Sequence, residues 1–331
     1  MKKAVAFVLL FACLLFSIGC TGAQELQKVE LHEVTRSVFY APQYVAISKG
    51  FFEEEGLEIN VTTSGGSDKA MSALLSGQAD ICLAGPETGV YVVNEGKADH
   101  PIIVGQLTKR DGSYLVGRQP EPNFDWKSLK GKTIIGGRAG GMPLMTLQYV
   151  LKSHGLVPGV DVEVIDSIQF NLMGGAFDGG TGDYVTLFEP TATEFELAGK
   201  GHIVANVGLA SGEVPYTVYL VSQTMLEENS DFVKRFLRAV YRAQIWIQTA
   251  SDGEVAMAME PFFPDASLDS LKIVANSYRE TDSWKQDPVM QEADYNRLLD
   301  IIQEAGELSA RPDFQTLVDN RRAEQVVAEA D

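Results

Sequence analysis

Three charged side chains sit in or just after glycine-rich loops, where a strand-like run could turn into a helix: Glu87 after Gly85-Pro86, Arg138 after Gly136-Gly137, and Asp183 after Gly180-Thr181-Gly182. A guanidinium in such a place can clamp a carboxylate, sulfonate or phosphate through two parallel hydrogen bonds. An ionised carboxylate can only accept, so Glu87 and Asp183 suit the N–H groups of an amine or an aminopyrimidine. Glu87 fits equally well as an acid that stabilises a helix start. Glycine and serine ahead of a helix leave backbone N–H groups free for a ligand oxygen. Ser64-Gly65-Gly66-Ser67 and Gly140-Gly141-Met142 both offer this, and both also read as plain capped loops. Tyr40 can stack on a planar ligand or pack in a core. Gln43 and Gln106 can read amide or ring nitrogens, with surface exposure the alternative for Gln106. Thr88, Gln169 and Glu189 join the candidate contacts by their positions at similar junctions. Two acids and one base in one cleft argue against a simple inorganic anion as ligand.

Catalytic and cofactor signatures fail on inspection. Gly131-Lys132-Thr133 looks like the end of a nucleotide-binding loop, but Trp126 stands where that motif needs glycine. No Gly-x-Ser-x-Gly elbow occurs. The histidines, His32, His100, His154 and His202, are far apart and lack metal-ligand spacing. The expectation is a protein with no catalytic residue, cofactor or metal.

The N-terminus points to export. Lys2-Lys3 precedes an apolar run from Ala4 to Ile18, broken by Ser17, and Gly19-Cys20 follows with small or polar residues behind it. That is the pattern of a signal peptide over residues 1–19, too short for a comfortable membrane span. Ser17-Ile18-Gly19-Cys20 resembles a bacterial lipobox, with serine where leucine usually stands. Cys20 is therefore the expected lipidation site, and ordinary cleavage near Ala23 is the alternative. Residues 1–19 hold two lysines and no acid, so their removal takes the formal charge from −18 to −20. Such a charge disfavours nucleic acid and anionic membrane surfaces as direct partners. It fits an extracytoplasmic body held to the membrane by lipid. Cys13 leaves with the signal, so Cys82 has no partner for an internal disulfide and reads as a buried small hydrophobe.

The elements that must carry the candidate residues alternate. Strands are expected at Val29–Val34, Leu57–Thr63 and Asp80–Ala84, with helices opening at Pro42, at Ser67 or Asp68, and at Pro86. The pattern restarts with a strand at Lys132–Gly136, a helix over Pro143–His154, and strands at Val162–Ile168 and Ile203–Val207; Tyr184–Phe188 is a strand or a helix start. Such alternation implies parallel sheets with helices on their faces. The extended stretches Ser113–Gly117 and Tyr216–Val221 read as two crossings between lobes. The expected division is a tether over 20–28, one lobe from 29–113 plus 222–331, and a second over 114–221. Beyond Met225 the chain reads as mainly helical. A long helix over Phe232–Ala250 is expected to pack Phe232, Phe236, Val240, Ile245 and Ile247 on the first lobe. In doubly wound sheets ligands bind beyond the carboxyl ends of the strands, which is where most of the candidates fall.

Specific segments carry a family resemblance. They are Tyr40-Ala41-Pro42-Gln43-Tyr44-Val45-Ala46, Lys49-Gly50-Phe51-Phe52, Gly56-Leu57, Ser76-Gly77-Gln78-Ala79-Asp80-Ile81, Asp125-Trp126-Lys127-Ser128-Leu129-Lys130-Gly131-Lys132 and Glu189-Pro190. In this order and spacing the chain resembles the SsuA/THI5-like, or NMT1-like, substrate-binding proteins of ABC importers. The family handles nitrate, taurine, alkanesulfonates and thiamine precursors. The resemblance implies an α/β type II periplasmic-binding-protein fold: two lobes, two chain crossings and a ligand cleft. It also implies a permease as partner, a monomer, and either a nitrogenous heterocycle or a sulfonate-type anion as cargo. Yeast-type relatives that make a pyrimidine set the enzymatic alternative. The chain departs from the family at Gly180-Thr181-Gly182-Asp183-Tyr184, where Gly-x-(Val/Ile)-Asp-Ala is usual.

Overall fold

The computed structural model describes residues 25–330. The expected signal, Cys20 and the first part of the tether lie outside the described residues. The end of the expected tether is already strand, because the Gln27 N–H bonds the Gly56 carbonyl at 2.9 Å and Gln27 stands opposite Leu57 in a parallel ladder.

Among the described residues ten strands form two five-stranded sheets: β1 (Gln27–Glu33), β2 (Leu57–Thr63), β3 (Ile81–Ala84), β4 (Pro101–Thr108), β5 (Ser113–Gly117), β6 (Thr133–Ile135), β7 (Glu163–Ile165), β8 (Tyr184–Phe188), β9 (His202–Asn206) and β10 (Thr217–Ser222). The first sheet has the order β2-β1-β3-β10-β4 and the second β7-β6-β8-β5-β9. Each repeats one plan. Parallel strands lie on one side, and a single antiparallel strand, the first one after a crossing, slots in before the last.

The stretches expected to be crossings are therefore ladder members. β5 pairs with both β8 and β9, and β10 with both β3 and β4. Residues 217–221 go with the first sheet rather than the second lobe. The chain passes between sheets over 109–112 and returns over 207–216. The two passages touch: a Cβ on Gly208 would stand 2.0 Å from the Asp111 carbonyl oxygen. β4, which the sequence reading did not assign, is buried along its whole length, as is β3. That is the pattern of strands covered on both faces.

The helix Ser230–Thr249 covers the first lobe through Phe232, Phe236, Val240, Ala243 and Ile247. The Phe236 ring lies 5.0 Å from Phe52 and 4.9 Å from Tyr219. Burying each such side chain is worth roughly 1.5–3 kcal/mol. Ile245, expected on this face, is 41% exposed. It lies roughly 220° around the helix from Phe232 at 3.6 residues per turn. Where the lobes join, the Phe39 ring packs on Tyr40, Phe188, Tyr216 and Tyr278 at 5.3–5.9 Å. The first crossing is pinned there by the Tyr278 hydroxyl, which donates to the Gly112 carbonyl at 2.9 Å.

Candidate ligand-binding cleft

The carboxyl ends of β1–β3 face those of β6–β8, and polar contacts tie the lobes together along the cleft. Arg138 Nη1 donates to Asp68 Oδ1 at 3.3 Å, the Tyr91 hydroxyl to the Gly140 carbonyl at 2.9 Å, and Ser37 Oγ to the Glu189 carbonyl at 2.7 Å. Between them lie two compartments that share Phe170 as a wall. The first, of about 240 Å³, is lined by Gly66, Ser67, Glu87, Thr88, Tyr91, Arg138, Gly140 and Gly141, among others. The second, of about 280 Å³, is lined by Arg36, Ser37, Asn171, Phe188, Glu189 and their neighbours. Together they match the volume that small-molecule sites usually have. A larger groove of about 790 Å³ lies elsewhere on the first lobe, among His100, Leu226, Phe314 and Arg321. None of the candidate residues lines it, so size alone does not identify the site.

Glu87 is the chemical centre of the first compartment. Pro86 ends the turn after β3 and the helix Glu87–Asn94 starts at once, which sets the carboxyl at the cleft floor. The side chain is only 1% exposed, and Oε2 has no hydrogen-bond partner among the described residues. Burial pushes its pKa up to about 8, partly offset by the backbone N–H groups of Glu87 and Met142. The carboxyl folds back over Gly85, where a Cβ would stand 2.0 Å from Oε2. Two helices begin beside it without side-chain caps, Ser67–Leu75 behind Gly66 and Met142–Ser153 behind Gly141. Ser67, expected as a cap, instead accepts from the Gly85 N–H at 3.3 Å. Thr88 donates to the Gly85 carbonyl at 2.7 Å. Met142 is buried, with its backbone close to Glu87.

The remaining candidates go elsewhere, each for a physical reason. Gln43 lies on the inward face of the helix Ala41–Ser48, where it donates to Glu33 Oε2 at 3.0 Å and accepts from the Tyr219 hydroxyl at 3.3 Å. Gln106 is neither at the surface nor in the cleft. It is buried in β4, with Nε2 on the Thr108 carbonyl at 3.0 Å. Tyr40 is buried in the Phe39 cluster, and its phenol is pushed up by burial and by the nearby Glu33 and Glu87. The N–H groups of Ser64 and Gly65 continue the sheet by bonding the Glu33 and Val34 carbonyls, both at 2.8 Å. Gln169 is exposed and the adjacent Phe170 takes the wall position. Asp183 precedes β8 at the end away from the cleft and accepts from the Thr133 N–H at 2.9 Å. Glu189 lines the second compartment, but Thr193 occupies both carboxyl oxygens at 2.9 Å. Burial pushes its pKa up to about 7. Tyr91 and Asp68 were missed; Tyr91 stands one helical turn after Glu87, a spacing that puts both on one face.

Two α/β lobes with this strand order, joined twice and holding a cleft at their strand ends, define a type II periplasmic-binding-protein fold. A family model described as NMT1/THI5 like matches residues 38–251, and the chain belongs to that family. YtlA of Bacillus subtilis (strain 168), whose name describes it as a binding protein, is 43% identical over 325 residues, covering 96% of this chain and 97% of its own. The 4-amino-5-hydroxymethyl-2-methylpyrimidine phosphate synthase of Aspergillus parasiticus is 25% identical over 236 residues, 67% of this chain and 68% of its own. Among solved structures, the periplasmic nitrate-binding protein NrtA from Synechocystis PCC 6803 superposes with a TM-score of 0.74 at 16% identity, covering 94% of this chain and 90% of that one.

Proposed function

We propose that this chain is an extracytoplasmic, monomeric binding protein, lipid-anchored at Cys20, that delivers a small nitrogenous heterocycle to the permease of an ABC importer. The observation that carries the reading is the buried Glu87 carboxyl at the cleft floor, with Oε2 lacking any partner among the described residues. A carboxyl whose pKa is about 8 is mostly neutral at pH 7. It then both donates and accepts, unlike the purely accepting carboxylate expected from the sequence. That pair of roles matches the adjacent N–H donor and ring-nitrogen acceptor of an aminopyrimidine. Tyr91 and Phe170 supply flat apolar walls for such a ring. The passages over 109–112 and 207–216 would act as the hinge for closure.

An oxyanion in the first compartment is the second reading. It is favoured by the uncapped N-termini behind Gly66 and Gly141, and the charge on Glu87 that would oppose it is suppressed by burial. Mass spectrometry of ligand carried through purification separates the two. Titration calorimetry with 4-amino-5-hydroxymethyl-2-methylpyrimidine, nitrate and an alkanesulfonate should then give heat only with the pyrimidine. Tight binding of nitrate or sulfonate alone would overturn the heterocycle reading, and chemical turnover of any bound compound would overturn the binding-protein reading.

A further inference from the structure

We propose that the second compartment is an oxyanion subsite built on Arg36, so that the ligand carries an acidic group as well as the N–H-bearing head. The inference rests on the proposed reading for the head group and adds the chemistry of the other end. Arg36 follows β1 in the first strand-to-helix junction and is tied down along one edge. Its Nε pairs with Glu33 Oε1 at 3.0 Å, and Nη2 reaches Thr63 Oγ1 at 3.5 Å. Its guanidinium carbon sits 5.3 Å from the centre of the Tyr44 ring and 6.0 Å from that of Phe262. Glu33 is itself held by Gln43, Tyr44 and Thr63 at 2.7–3.0 Å. The buried group that orients Arg36 is thus fixed by three other side chains.

Nη1 has no partner among the described residues, and the side chain lines the second compartment with about a third of its surface (34%) exposed. The facing wall adds Asn171 and Thr191, both able to donate, while Ser37 beside Arg36 gives its hydroxyl hydrogen to the Glu189 carbonyl. The acid in that lining, Glu189, has both oxygens taken by Thr193. Arg138, the residue expected to clamp an anion, lines the first compartment and pairs with Asp68 as Arg36 pairs with Glu33. A planar guanidinium with one free edge suits a carboxylate, phosphate or sulfonate. With the two compartments sharing Phe170, the fitting ligand is an amphoteric molecule: a ring with N–H at one end and an acid at the other.

Inorganic phosphate tests the subsite without any assumption about the ring. Calorimetry at fixed ionic strength, balanced with sodium chloride, should show saturable phosphate binding to the wild-type protein. Arg36→Gln should weaken it by about tenfold to a hundredfold, the usual range for a charge-assisted hydrogen bond. Arg36→Lys should restore part of the loss. Lys127→Gln, the same charge change on an exposed residue outside the cleft, should leave the affinity as it was. Circular dichroism shows that each variant is folded. No saturable heat in the wild-type protein, or equal affinity in Arg36→Gln, would overturn the inference. A parallel titration with neutral 4-amino-5-hydroxymethyl-2-methylpyrimidine reads the head group separately. If the pyrimidine binds and phosphate does not, Arg36 fails alone; if phosphate binds and the pyrimidine does not, the Glu87 reading fails alone.

Discussion

Replacing Glu87 with glutamine should make the ligand-free protein more stable while weakening its grip on the ligand. The carboxyl titrates near 8 in the fold against an ordinary value of 4.5. Because the folded value is raised, its contribution to stability is complete below pH 4.5 and is lost as the pH climbs through 8. At 1.36 kcal/mol per unit, the fold has given up about 3 kcal/mol at pH 7 and on the order of 5 kcal/mol above pH 8. Glutamine keeps the shape and does not ionise, so Glu87→Gln should recover most of that. About 1 kcal/mol is deducted if its new N–H group finds no acceptor. A gain of about 2 kcal/mol is a large share of a typical net stability of 5–15 kcal/mol. Urea unfolding of both proteins, stripped of ligand, at steps from pH 4.5 to 8.5 reads the effect directly. The two stabilities should converge at the acid end and separate as the pH rises. Parallel curves, or a variant less stable than wild type at pH 8, would refute the claim that burial of this carboxyl strains the empty cleft.

The other expectations are simpler. Cys20→Ala should release the protein from membranes, and labelled fatty acid that never enters the wild-type chain would rule out the anchor. Gly85→Ala should abolish ligand binding, because its Cβ would stand 2.0–2.5 Å from the Glu87 carboxyl atoms; wild-type affinity by calorimetry would show that the carboxyl can move aside. Small-angle scattering should give a smaller radius of gyration with ligand than without, and an unchanged radius at saturation would count against hinge closure. Phe236→Ala should cost about 3–5 kcal/mol, the range for emptying a buried aromatic site, and a loss below 1 kcal/mol in urea unfolding would contradict the packing described.

Local signals placed the cleft floor well because they act at short range. Gly85-Pro86 before an apolar run marks a helix start after a strand, and Glu87 falls there in the structure. Helix capping was less legible. Ser67 is the right residue type for a cap, yet its hydroxyl answers the Gly85 N–H, 18 residues away. Gln43 and Gln106 look like ligand readers in isolation. Their true partners, Glu33, Tyr219 and Thr108, are set by which face of a helix or strand turns inward. Asp183 misled because a glycine run can lead into either end of an element, and here it enters the amino end of β8. The crossings were misread for a related reason. An extended, β-prone stretch has one local pattern whether it bridges two sheets or pairs within one, and only partners far along the chain decide.

The placement of β10 has a consequence for how the molecule is made. β4 meets the rest of its sheet only through β10, so until residues 217–222 emerge β4 has no strand beside it. The first lobe, although it holds the N-terminal third of the chain, cannot finish before the whole second lobe has been threaded past it. Pairing across such a separation is slow. A nascent chain halted between the lobes would offer the open flanks of β3 and β4 to any neighbouring strand. Under the export proposed above, that delay would keep the earliest segments competent for transport until the last of the sheet arrives.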